Sequence, residues 1–197
     1  LLKVDSIMKK GLGTGELGVV IAPTGAGKSM ALAHLGSQAA AAGKNVIHYT
    51  LELSEAVTGQ RYDSCLSSVP LSSLFARKDE VLENISDIDG SLTIKEYPTK
   101  TASTNTIRAH LERLKKKNAK IDMIIVDYAD LLRPTKNFRE KRDELGSIYE
   151  DLRAIAQEFK CPLWTASQTN RTGLNAEVVT MESISEAFNK CFVADFI

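Results

Sequence analysis

One stretch limits the possible folds of this chain more than any other: Gly18-Val19-Val20-Ile21-Ala22-Pro23-Thr24-Gly25-Ala26-Gly27-Lys28-Ser29. An apolar run enters a turn of small residues, then Gly-Lys-Ser, then an alanine-rich segment. That order reads as strand, tight loop, helix. Small residues let the backbone wrap a polyphosphate, so that several N–H groups face its oxygens, and the following helix adds its positive N-terminal end. The expectation is a nucleotide-binding loop made of Ala22, Pro23, Thr24, Gly25, Ala26, Gly27, Lys28 and Ser29. Lys28 would reach the β- and γ-phosphates of a nucleoside triphosphate, and the Ser29 hydroxyl would ligate Mg²⁺. One position departs from the common G-x-x-x-x-G-K-[ST] pattern: Ala22 stands where the first glycine is usual.

The rest of the chain alternates in the same way. Strands are expected at Leu17 to Ile21, Asn45 to Leu51, Ser91 to Tyr97, Met123 to Val126 and Pro162 to Ser167, and a last one from Phe192. Helices are expected at Lys28 to Ala42, from Ser54 through Tyr62, at Leu71 to Glu83, Ile107 to Lys117, Arg142 to Phe159 and Met181 to Asn189, with a polar loop over 169–180. The clearest is the fifth, where Leu145, Ile148, Tyr149, Leu152, Ile155, Ala156 and Phe159 repeat at helical spacing. Alternation of strand and helix predicts parallel pairing through right-handed crossovers, with helices on both faces of one sheet. The wholly apolar Met123-Ile124-Ile125-Val126 suits the middle of that sheet. With 197 residues there is room for one domain, residues 1–197, and its core.

Composition narrows the partners. Twenty-five basic residues balance twenty-five acidic ones, so no global basic field advertises a nucleic acid. Binding of that kind must come from local patches or from assembly of several copies. No apolar run approaches membrane-spanning length. Cys65, Cys161 and Cys191 have no CxxC spacing, which fits reduced thiols in a cytoplasm. Leu1 in place of Met and the apolar final residues read as cut ends, so the expectation is one domain of a longer protein.

Ligands of open α/β sheets bind beyond the carboxyl ends of strands. Four such ends carry suitable residues: the loop at 22–29, Glu52, Asp127 and Gln168. Asp127 suits an acid associated with Mg²⁺, Glu52 a base that polarises the attacking water, and Gln168 a group that registers the γ-phosphate. Glu55 and Asp130 read as helix-start and turn residues. Lys115, Lys116 and Lys117 read as a solvated helix end.

In this order, Ala-Pro-Thr-Gly-Ala-Gly-Lys-Ser, Thr-Leu-Glu (50–52), Ile-Ile-Val-Asp-Tyr (124–128) and Ser-Gln-Thr-Asn-Arg (167–171) resemble the ATPase domain of DnaB-type replicative helicases. Lys-Glu-Tyr-Pro-Thr (95–99), Leu-Trp-Thr-Ala-Ser-Gln (163–168) and Met-Glu-Ser-Ile-Ser-Glu (181–186) are similar to the T-even phage branch of that family. The resemblance implies a RecA-like P-loop NTPase core in a six-membered ring around single-stranded DNA, with ATP between subunits and with primase and loader proteins as partners. By position, Lys28 and Ser29 hold phosphate and Mg²⁺, Glu52 is the catalytic carboxylate, Asp127 the metal-associated acid and Gln168 the sensor. The family's channel-facing loops fall at Arg133 to Arg142 and after Gln168, which makes Arg133, Lys136, Arg139 and Arg171 the expected DNA contacts. Arg61, matched by an Arg in the family, is expected in a structural ion pair. The family's arginine finger lies on a strand beyond Ile197 and its N-terminal domain before Leu1, so slow turnover is expected of this stretch alone. Two other readings stay open: a RecA- or KaiC-like ATPase without unwinding, and a nucleotide-binding assembly module with negligible turnover.

Overall fold

The computed structural model describes residues 11–168 and 193–197. Five strands form one sheet: β1 (Leu17–Ala22), β2 (Asn45–Thr50), β3 (Ser91–Glu96), β4 (Met123–Asp127) and β5 (Leu163–Gln168). Every pair is parallel and the order is β1-β5-β4-β2-β3. The strand with no polar residue before Asp127 therefore lies in the middle, where Ile124, Ile125 and Val126 are each 0% exposed. A run that is apolar on both faces can be satisfied only there.

The helices are α1 (Lys28–Ala41), α2 (Glu55–Ser67), α3 (Lys78–Ile85), α4 (Thr104–Lys116) and α5 (Lys141–Phe159). Ile107 and Leu111 of α4 and Ile148 and Leu152 of α5 pack with Leu17, Val19, Tyr49 and Ile124 on one face of the sheet. Leu32 and Ala40 of α1 pack with Val46, Ile125 and Trp164 on the other. Adjacent residues of β4 thus feed opposite cores, as the two-residue period of a strand requires. Caps set the helix starts. The Ser54 side chain accepts from the Val57 N–H at 3.2 Å. Ser103 and Thr106 exchange side chain-to-backbone bonds in a capping box, so α4 begins at Thr104, three residues before the expected Ile107.

Two elements differ from expectation. The single helix over Leu71 to Glu83 is instead a 3₁₀ turn at Leu71–Ser73, a turn, and then α3. Arg77 leaves helical geometry at φ −115°. The break lets Leu74 and Val81 meet Val69 in a small cluster of their own, a contact between segments that helical periodicity does not encode. The final strand also starts later than Phe192. Val193 is helical, and pairing is seen at Phe196, which bridges Gly18 and accepts from the Val19 N–H at 2.9 Å. The expected loop over 169–180 and helix over 181–189 lie outside the described residues.

Strand register positions the site. Thr50 is paired with Asp127, and Ala22 with Gln168. The ends of β1, β2, β4 and β5 therefore reach one edge of the sheet together.

Candidate nucleotide-binding site

The loop between β1 and α1 turns on two glycines. Gly25 and Gly27 hold φ of 80° and 92°, a left-handed backbone that side chains rarely tolerate. Helix α1 begins at once, without a side-chain cap and without an acid in its first turn. Its leading N–H groups and the positive end of its dipole are thus left for a ligand at the cavity mouth. Lys28 is buried, and its ammonium donates to the Ala22 and Pro23 carbonyls at 3.1 and 2.9 Å. Burial lowers its pKa, and the charges of Glu52, Asp127 and Asp130 pull it back up.

Ser29 donates to Asp127 Oδ1 at 3.2 Å. Asp127 is 1% exposed. Burial pushes its pKa up to about 6; the Ser29 hydroxyl pulls it down, Glu52 pushes it up, and Arg61 and Lys28 pull it down. A buried carboxylate beside a hydroxyl, both hard oxygen donors, fits Mg²⁺: a cation there offsets the cost of burying the charge. The open helix end, the buried lysine and the left-handed glycines fit a polyphosphate in the same way.

A cavity of about 190 Å³ joins these parts, with Thr24, Gly25, Gly27, Lys28, Ser29, Glu52 and Gln168 in its walls together with Met30, Leu53 and Arg61. Glu52 is exposed, two residues past the end of β2. Gln168 closes β5 and donates through Nε2 to the Tyr128 hydroxyl at 2.7 Å. Ala22 and Pro23 take part through their carbonyls. Ala26 belongs to the turn, where its N–H meets the Pro23 carbonyl at 3.3 Å, and does not line the cavity.

A family model, the DnaB-like helicase C terminal domain, matches residues 1–177. The chain belongs to that family. A DnaB-like replicative helicase of Enterobacteria phage T4 is 32% identical, over 98% of this chain and 43% of its own length. A replicative DNA helicase DnaB of Helicobacter pylori is 24% identical, over 82% of this chain and 34% of its own. Among solved structures, one of a DnaB-like replicative helicase, described with its interactions with primase, superposes with a TM-score of 0.83 at 17% identity. It covers the whole of this chain and half of that one. The chain thus spans half or less of each of these proteins. The shared architecture is the parallel α/β core of the DnaB-like domain.

Other residues of this DnaB-like domain fall into place around the cavity. Arg61 lines it, and among the described residues it forms no ion pair, contrary to expectation. Its reach from α2 across the end of β2 is not legible in spacing. Tyr128 had no assigned role; its only signal was its place directly after Asp127. Glu55 is indeed a helix-start residue, exchanging bonds with the Glu96 backbone and side chain. Asp130 is a turn residue that accepts from Tyr149 and Ser167. Arg133, Lys136 and Arg139 are exposed. Arg133 and Lys136 share a second cavity, of about 410 Å³, at the start of α4; Arg139 lines neither. Arg171 lies outside the described residues. Among the described residues no helix is long and apolar enough to cross a membrane.

Proposed function

We propose that this domain binds Mg²⁺ and ATP, hydrolyses the γ-phosphate bond, and drives movement on single-stranded DNA as the motor of a replicative helicase. The observation that carries the reading is the meeting of Lys28, Ser29, Glu52 and Gln168 around one cavity, with Asp127 bonded to Ser29 behind it. Lys28 would exchange its two carbonyl partners for phosphate oxygens. Ser29 and Asp127 would hold the metal, which when bound neutralises charge on the phosphates. Glu52 would accept a proton from the attacking water. Gln168 would hydrogen-bond the terminal phosphate and register its loss. Residues Arg133 and Lys136, and Arg139 beside them, would meet the DNA backbone, as would Arg171, three positions after Gln168 in the sequence.

Family membership and the T4 relative support this reading, as does the named activity of the Helicobacter protein. By the same analogy the full-length protein would assemble as a ring, as a hexamer, work in the cytoplasm, and meet primase and loader proteins. The test is ATP turnover and strand separation by the full-length protein, with and without single-stranded DNA. DNA-stimulated turnover and unwinding are expected. A Glu52→Gln variant should lose turnover by about 100-fold or more while nucleotide affinity stays within about three-fold. Turnover without unwinding would favour a regulatory or recombination ATPase. Turnover unmoved by Glu52→Gln would reduce the domain to a binding module.

A further inference from the structure

The site contains a residue that the assigned roles leave idle. Tyr128 follows β4, is 7% exposed, and packs with Leu32, Trp164 and Ala166 beneath α1. Its backbone is clamped on both sides by one hydroxyl. Thr165 donates to the Val126 carbonyl at 2.7 Å and accepts from the Ala129 N–H at 3.0 Å. The phenol therefore has neither a free ring nor a free backbone. Its hydroxyl is the acceptor for Gln168 Nε2 at 2.7 Å. The Lys28 ammonium sits 6.0 Å from the centre of the same ring.

Gln168 is differently placed. It ends its strand, is half-buried, and opens onto the cavity. A glutamine side chain there has three rotatable bonds, and its Nε2 bond to the Tyr128 hydroxyl restricts the rotamers open to it. With one N–H anchored, its second N–H and its carbonyl oxygen have a defined direction. We propose that Tyr128 is a positioning residue: its fixed hydroxyl orients the Gln168 carboxamide toward the terminal phosphate of a bound nucleoside triphosphate. This rests on reading the cavity as a triphosphate site. Burial, and the nearby charges of Glu52 and Asp130, raise the phenol pKa to about 12, so the hydroxyl stays neutral throughout the working range. A neutral hydroxyl accepts one bond from Gln168 and brings no charge to repel phosphate.

The consequence is selective. A diphosphate does not reach a terminal-phosphate sensor, so the hydroxyl should matter to the triphosphate alone. The test measures affinities of the full-length protein for Mg–ADP and for a non-hydrolysable Mg–ATP analogue. Variants are Tyr128→Phe, Gln168→Ala and both together. Tyr128→Phe should leave ADP affinity within about two-fold and weaken the analogue about five-fold, the effect of one lost hydrogen bond. Gln168→Ala should weaken the analogue at least as much, and the double variant no further than Gln168→Ala alone. In the nucleotide-free protein, the Gln168 side-chain amide should exchange its hydrogens faster once the phenol hydroxyl is gone. Equal losses for both nucleotides, an unchanged ratio between them, or an added loss in the Gln168→Ala background would each overturn the proposal. If the unaltered protein binds neither nucleotide, the triphosphate reading fails and this one with it. If it binds both and Tyr128→Phe changes nothing, only the positioning role fails.

Discussion

At the scale of single residues, His48 shows what burial under the site costs. It lies on β2, is 0% exposed, and shares a 2.8 Å hydrogen bond between Nδ1 and the Tyr62 hydroxyl. Its Nε2 has no partner among the described residues. Burial, helped by the charge of Arg61, pushes its pKa down to about 3. The folded protein thus keeps this ring neutral well below the pH at which the unfolded chain protonates it, near 6.5. Between those limits the unfolded state binds more protons, so stability rises with pH. The contribution is complete above pH 6.5 and fades as pH falls toward 3. Urea unfolding at pH 7 and at pH 5 should differ by about 2 kcal/mol from this group, and a His48→Phe variant should lose that part of the pH dependence. The pairing of His48 with Tyr62, one helix and fourteen residues away, did not follow from any pattern.

At the scale of elements, two helical glycines make opposite predictions. Gly36 sits on the face of α1 that meets α2 and the sheet. A Cβ there would lie 2.1 Å from the Tyr62 hydroxyl and 2.8 Å from Ile125 Cδ1. Tyr62 is itself held by His48, so it cannot swing aside without breaking a buried bond. Gly36→Ala should therefore cost about 1–3 kcal/mol through overpacking, despite the better helix propensity of alanine. Gly59 on α2 is the contrast. A Cβ there meets only Ile94 Cδ1, at an ordinary 3.9 Å. Gly59→Ala should stabilise the fold by up to about 1 kcal/mol. Chemical denaturation of the two variants checks both signs. Helix existence was plain in the sequence for α1, α4 and α5, because apolar spacing and caps are local properties. The break at Arg77 was not, because it accompanies the packing of Leu74 and Val81 on Val69, three residues that no single helical face lines up.

At the scale of the whole molecule, charge balance limits how the proposed DNA strand could be held. Twenty-five basic and twenty-five acidic residues leave no net field. Contacts with DNA would then be few and local, and the exposed Arg133 and Lys136 are the pair that share a cavity. The cavity lies where the Arg133 N–H bonds the Ala102 carbonyl at 2.8 Å, which ties this loop to the start of α4. Replacing both side chains with alanine should weaken single-stranded DNA binding by the assembled full-length protein. The slope of log affinity against log salt should become shallower by about 1.4, the value for two phosphate contacts on a single strand. An unchanged slope would remove this pair from the interface.

The amino-acid order alone determined the alternation of strand and helix, the central place of Met123 to Val126, and the loop at Gly25 to Ser29. Each is a matter of neighbours in the chain: which residues are apolar on both faces, which turn tolerates positive φ, which side chain caps a helix. Only the tertiary structure decided that β5 lies between β1 and β4, that Arg61 enters the cavity, and that Tyr128 holds Gln168. Those depend on strand register and on side chains from different elements meeting in space. Contacts of that kind arise from the packing of the whole core, and no short stretch of sequence contains them.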